Sequence, residues 1–400
     1  MPKCQGGYPE LLDKHGFRLV REFSSGGSFA RVFLVVDPSG ELAVVKYASE
    51  PGIDGNGTPW LRAQYRRLRE FHELRSGLYP EVRTFFDNGP ECYLAMEYLH
   101  DARPITEVFM EQGSDDASID LVLDRVFSEV ATIGKTLHRP YEDELHRNFV
   151  LRCHHRLTLL SNTTGYVYES VIAPHRFEVG ALSYQNAAQF FAELKGAREI
   201  DINGTLYPSL ERLVLNFNSV APELQQYLGP TTLSPAGHGD LAMRNVFVRN
   251  GQLTLTDPRA RTGFESSPEV TSIEFDAAKL AHSVLLEIAR CRKYVLNVRR
   301  ERGELRFEYG FCDDEPTQKL CGLWERFPRL LAQNEALRNL LQGSRWLEFV
   351  RLAEALNYVA DAVHRMNTDR TGHDALLYYL VATVKLFTWF RTHAARVREL

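Results

Sequence analysis

Three short apolar runs open the chain and restrict its fold more than any other feature. Phe17 to Phe23, Val32-Phe33-Leu34-Val35-Val36 and Leu42-Ala43-Val44-Val45-Lys46-Tyr47 are each strand-like. They are separated by the small-residue turn Ser24-Ser25-Gly26-Gly27-Ser28 and by Asp37-Pro38-Ser39-Gly40. Strands joined by turns this tight pair as an antiparallel meander. A loop from Ala48 to Pro59 follows. Then Trp60 to Arg75 brings Leu61, Tyr65, Leu68 and Phe71 near one face of a predicted helix. Val82 to Phe86 and Cys92 to Tyr98 are two more predicted strands, with Asp87-Asn88-Gly89-Pro90 turning between them. The expected unit, residues 1–99, is a five-stranded sheet with one helix, and its first fifteen residues are expected to be peripheral.

Beyond His100-Asp101 the texture becomes helical. Helices are predicted over Val122 to His138, Ala187 to Leu194, Pro208 to Asn216, Ala221 to Leu228, Glu274 to Val295, Leu323 to Leu341, Trp346 to Met366 and His373 to Ala394. One compact stretch, His238 to Ala260, breaks the pattern. Val246-Phe247-Val248 and Leu253-Thr254-Leu255 flank Arg249-Asn250-Gly251, a hairpin signal. The fold class expected is α+β, with a small antiparallel-sheet domain over 1–99 and a large, mostly helical domain over 100–400.

Composition removes several functional classes. Lys plus Arg is 47 against Asp plus Glu 52, a formal net charge of −5, which disfavours a bulk nucleic-acid surface. Six scattered cysteines form no CxxC pair, so neither a disulfide scaffold nor a thiolate zinc site is suggested. No apolar run reaches membrane-span length, and Met1 to Gly7 lacks a signal-peptide core. A cytoplasmic protein that binds neither nucleic acid nor membrane, monomeric or homodimeric, is expected. Adjacent His154-His155 fall in a basic stretch from His146 to Arg156, which reads as a surface helix rather than a metal site.

Three features, taken in order, point to phosphoryl transfer. The turn Ser25, Gly26, Gly27, Ser28 lies between two strands, where small residues let backbone N–H groups approach a phosphate; a plain hairpin turn has the same composition. Lys46 ends a strand beneath that turn, where an ammonium would hold ATP phosphates. Its orienting carboxylate is expected on the following helix, at Glu70 first and Glu73 second. Third comes His238-Gly239-Asp240-Leu241-Ala242-Met243-Arg244-Asn245, then Asp257-Pro258-Arg259. The chemistry needs one carboxylate beside the acceptor hydroxyl, and an Asn and an Asp on Mg²⁺.

At these residues the chain resembles the protein-kinase-like superfamily, and within it the aminoglycoside phosphotransferase and choline kinase branch. His238-Gly239-Asp240-Leu241 and Asn245 match the branch's HGDLxxxN signature. Asp257-Pro258-Arg259 is similar to relatives that carry Asp-Pro-Arg at the metal site, and Asp276-Ala277-Ala278-Lys279-Leu280 resembles a downstream D-x-A-K-L helix. The resemblance spans residues 17–290 and implies a bilobal fold that uses ATP (GTP is an alternative) and Mg²⁺. It implies Asp240 as catalytic base and Asn245 and Asp257 as metal ligands. Lys46 would meet the phosphates beneath a cover of Ser25 to Ala30, and the segment Glu97 to Leu99 would meet adenine.

Departures shape the expected acceptor. Of the three phosphate-loop glycine positions only Gly27 is glycine, Ser25 and Ala30 filling the others. Gly239 stands where a protein kinase carries Arg, and no peptide-clamping segment follows Asp257. These features favour a small-molecule hydroxyl acceptor, such as a sugar, amino alcohol, antibiotic or natural-product intermediate. Arg259 and Arg261 are the candidate acceptor residues, with a structural salt bridge as the other reading. A protein kinase or a catalytically inactive kinase-like scaffold is the alternative function.

Overall fold

The computed structural model describes residues 9–23, 30–49, 57–111, 115–135, 139–161, 166–167, 170–171, 176–234, 237–259, 271–341, 345–368 and 371–397. They form two compact units. The first runs to Ile105 and also takes in His238–Asp240 and the stretch from Arg244; the second holds most of the remainder.

In the first unit, the short helix α1 (Glu10–Lys14) precedes strands β1 (Arg18–Glu22), β2 (Arg31–Val36) and β3 (Leu42–Ser49). Helix α2 (Thr58–Leu74) follows, then β4 (Val82–Asp87) and β5 (Glu91–Glu97). All pairings are antiparallel and the sheet order is β1-β2-β3-β5-β4. The central strands β3 and β5 are apolar through most of their length because both faces are covered. Alternation then sorts their side chains. Ala43, Val45 and Tyr47 join Phe33, Val35, Tyr93 and Ala95 in one core cluster. Lys46, one residue out of phase, lies on the opposite face.

The first fifteen residues are not all peripheral. Leu12 is fully buried in that cluster with Phe17, and His15 Nδ1 meets the Tyr93 hydroxyl at 2.6 Å. A single apolar pair on one helical turn carries too little periodicity to predict this. Leu12→Ala is expected to cost about 2–5 kcal/mol, a large-to-small change in a packed core, read as a lower denaturation midpoint.

The second unit is helix-rich but carries a sheet over residues for which no strand is predicted. The predicted helix over Glu274 to Val295 ends at Arg290. Tyr294–Glu301 and Glu304–Phe311 then form a long antiparallel hairpin. Its second strand pairs in parallel with Glu199–Ile202, which also pairs with Thr205–Pro208, completing a four-stranded sheet. The two helices expected around Asn216 to Ala221 are one, Leu210–Leu228, with Pro222 inside. Its buried stripe of Leu213, Val214, Phe217, Ala221 and Leu224 continues through the proline, so packing outweighs the lost hydrogen bond. The basic stretch from His146 is a surface helix only in part: His154 and His155 are exposed on the helix Leu151–Leu160, but two arginines turn inward. Arg152 and Arg156 are buried; Arg152 meets Asp361 at 3.4 Å and Arg156 meets His364 at 2.9 Å. Among the described residues no helix is long and apolar enough to cross a membrane.

Two buried carboxylates in this unit should make its stability pH-dependent. Glu144 accepts from Asn148 Nδ2 at 2.7 Å through one oxygen, and its other oxygen has no partner among the described residues. Glu274 accepts the Thr232 N–H through both oxygens, at 2.9 and 3.0 Å. Burial pushes each carboxyl up to about 7. The folded chain therefore keeps protons that the unfolded chain has released. The stabilisation is full below the ordinary value of 4.5 and is lost as pH rises through about 7. Glu144→Gln should flatten the fall in melting temperature over this interval.

Candidate active site

The candidate residues cluster within the first unit, on three stretches distant in sequence. After His238–Asp240 a single helical turn, Met243–Asn245, leads into the hairpin Val246–Arg249 and Gln252–Leu255. Asn250 and Gly251 turn it with φ of 49° and 74°, as the Asn-Gly signal requires. Arg103–Pro104 adds a third strand. The hairpin returns the chain so that Thr256 N–H donates to Asn245 O at 2.8 Å and Arg259 N–H donates to His238 O at 2.9 Å. Both ends of the motif are thereby latched.

His238 is an internal brace. It is 2% exposed. Its Nε2–H donates to Thr256 O at 2.9 Å, while Nδ1 accepts the Asp240 N–H at 3.3 Å. Accepting at Nδ1 requires the neutral ring, and burial lowers its pKa to about 4. Gly239 has φ of 77°, a conformation that side chains disfavour.

Asp240 is nearly buried, and its Oδ2 lies 3.2 Å from Arg259 Nε. Asn245 Nδ2 donates to the Asp240 carbonyl at 2.9 Å, leaving Asn245 Oδ1 without a partner among the described residues. Asp257 adopts φ of 59°, a left-handed conformation that aspartate tolerates better than most residues. Its Oδ1 receives Lys46 Nζ at 2.6 Å and Gln64 Nε2 at 2.5 Å, while its Oδ2 has no partner among the described residues. Burial alone would raise the Asp257 pKa; the Lys46 charge and these hydrogen bonds outweigh it and hold the carboxyl below its usual range.

The expected carboxylate partner of Lys46 on the following helix is replaced by an amide. Lys46 Nζ meets Gln64 Oε1 at 3.1 Å and lies 5.5 Å from the centre of the Trp60 ring. Glu70 is instead exposed, 3.9 Å from Arg67, and Glu73 pairs with Arg69 on the same outer surface. Helical phase is the reason. Leu61, Gln64, Leu68 and Phe71 share the buried face of α2, and six residues beyond Gln64 the helix has turned Glu70 away from it. A polar residue inside that apolar stripe was the available signal for Gln64.

At the end of β5, the Glu97 carboxylate pairs with Arg249 at 2.9 Å. Its N–H is taken by Glu81 O at 2.8 Å. The Leu99 N–H donates to no described residue. Ser25, Gly26, Gly27, Ser28 and Arg261 lie outside the described residues.

The residues present suit Mg²⁺ held partly by nucleotide. Asn245 Oδ1 and Asp257 Oδ2 are hard oxygens left over after every other polar atom of these two side chains is engaged. Mg²⁺ takes one or two protein oxygens and completes its shell with phosphates and water.

The five-stranded antiparallel sheet with its single helix between β3 and β4, and the helix-rich second unit, make this an α+β fold. No family model and no curated protein matches the sequence. Among solved structures the chain is similar to one described as "Putative fructosamine-3-kinase" from Haemophilus somnus 129PT. The identity is 10%, covering 94% of this chain and 96% of that one, with a TM-score of 0.45. It is also similar to the PknI kinase domain of Mycobacterium tuberculosis, at 14% identity over 86% of this chain and 96% of that one, with a TM-score of 0.31.

Proposed function

We propose that this chain is an ATP- and Mg²⁺-dependent phosphotransferase that moves the γ-phosphate to a hydroxyl of a small molecule. The observation that carries the reading is the convergence of Lys46, Asp240, Asn245 and Asp257. Each arrives from its own strand, turn or loop, and two ligand-type oxygens are left for a metal. Asp240 orients the acceptor hydroxyl and takes its proton as oxygen attacks the γ-phosphorus and the bond to the bridging oxygen breaks. Asn245 Oδ1 and Asp257 Oδ2 would hold Mg²⁺, which, when bound, neutralises charge on the phosphoryl oxygens. Lys46 would turn from Asp257 toward the phosphates. The free Leu99 N–H and the Glu97 carbonyl suit the edge of adenine, or of guanine if GTP is the donor. Gly239 in place of arginine, and the short segment after Asp257, support a small acceptor over a peptide. A sugar, amino alcohol, antibiotic or natural-product intermediate fits, and a biosynthetic or polysaccharide-related acceptor is favoured. A monomer or homodimer in the cytoplasm completes the reading.

The test is Mg²⁺-dependent consumption of ATP and GTP by purified protein with a pooled metabolite library. A product about 80 mass units heavier than one library member, the added phosphoryl group, and absent with Asp240→Ala, supports the proposal. Phosphate transferred only to added protein substrates would favour the protein-kinase alternative. Absence of both product and nucleotide binding would favour an inactive scaffold.

A further inference from the structure

Gln64 is fully buried and makes three hydrogen bonds. Its Oε1 accepts from Lys46 Nζ, and its Nε2 donates to Asp257 Oδ1 and, at 3.1 Å, to Pro258 O. Only an amide can do this between an ammonium and a carboxylate. A carboxylate has no proton to give Asp257, and an ammonium has no lone pair for Lys46. The side chain sits on a helix locked by Leu61, Leu68 and Phe71, so its position is set by packing rather than by the ligand. By engaging Oδ1 together with Lys46, it fixes the rotation of the Asp257 carboxyl and leaves Oδ2 as the oxygen without a partner among the described residues.

We propose that Gln64 is the positioning residue for the metal carboxylate: it presents Asp257 Oδ2 to Mg²⁺. This rests on the phosphotransferase reading. It also inverts a simple expectation. The substitution Gln64→Glu would restore an ion pair for Lys46, yet it would set a second carboxylate about 2.5 Å from Asp257 Oδ1 and remove the N–H donor that holds it. The two carboxylates repel, and the metal oxygen is misplaced.

The measurement is Mn²⁺ binding in the presence of a non-hydrolysable ATP analogue, followed by electron paramagnetic resonance. Gln64→Glu, and Gln64→Leu, which is similar in volume, should each bind Mn²⁺ roughly 10–100-fold more weakly than wild type, the range for lost metal-supporting contacts. Melting curves separate folding from binding. Equal or tighter Mn²⁺ binding by a folded Gln64→Glu or Gln64→Leu protein, with wild type binding normally, overturns this inference alone. A wild-type protein that takes up no Mn²⁺ with nucleotide overturns the phosphotransferase reading, and this inference with it.

Discussion

Asp240→Asn is expected to lower turnover by about 10²–10⁴-fold while leaving nucleotide binding close to wild type. The asparagine keeps the shape, and the backbone latch between Asp240 N–H and His238 Nδ1 is untouched. What it loses is the basic oxygen proposed to take the acceptor proton and the charge that pairs with Arg259. The loss should therefore fall in kcat. Steady-state kinetics with the acceptor saturating would check it, alongside equilibrium binding of a fluorescent nucleotide. Unchanged turnover would remove Asp240 from the chemistry. Because His238 stays neutral until well below its ordinary range, the acid limb of the wild-type pH profile should not report this histidine. Replacing it should act through loss of the latch.

The second large effect belongs to Asp257. Asp257→Ala removes the proposed metal oxygen and the only carboxylate bonded to Lys46 among the described residues. Losing metal stabilisation of the transferring phosphoryl should cost on the order of 10³-fold or more in turnover, several kcal/mol of charge stabilisation. Excess Mg²⁺ should not restore it. In wild type, by contrast, chelation should abolish turnover and added Mg²⁺ should return it. Stability should fall too, by about 3 kcal/mol, because a Lys46 ammonium with a side chain only 9% exposed keeps Gln64 but no counter-charge. Activity against Mg²⁺ concentration and melting temperature separate the two losses. A variant with normal melting and normal metal dependence would place the metal elsewhere.

Helix α2 shows where reading by residue type fails. A carboxylate is the natural partner to expect for Lys46, and Glu70 and Glu73 are the acidic residues at hand. Periodicity already puts Leu61, Leu68 and Phe71 on one face, and Gln64 belongs to that face. Choosing by charge points to the outer surface; choosing by phase points inward. The hairpin from Tyr294 escapes the sequence for a related reason. Its first residues, Tyr294 and Val295, are absorbed into the predicted helix that ends at Val295, although Arg302 and Gly303, with φ of 53° and 88°, mark a turn. Asp313-Asp314-Glu315 is a helix start: Asp314 caps Glu315–Gln333 and pairs with Lys293 at 3.1 Å.

The sequence alone determined what is local. Tight turns and alternating apolar runs set the five strands of the first unit within a residue or two. Asn250-Gly251 set the hairpin, and HGDLxxxN with its downstream Asp-Pro-Arg named the residues proposed for chemistry. Tertiary structure decided what depends on distance. Lys46 and Asp257 are 211 positions apart, and no pattern along the chain says that they meet. Folding settled that an amide bridges them, that Arg259 lies against Asp240, and that Arg152 and Arg156 turn inward to Asp361 and His364. Local steric preference is written residue by residue. The partner of a buried charge is chosen by whichever group the packed core brings within reach, since an unpaired charge there is too costly to leave.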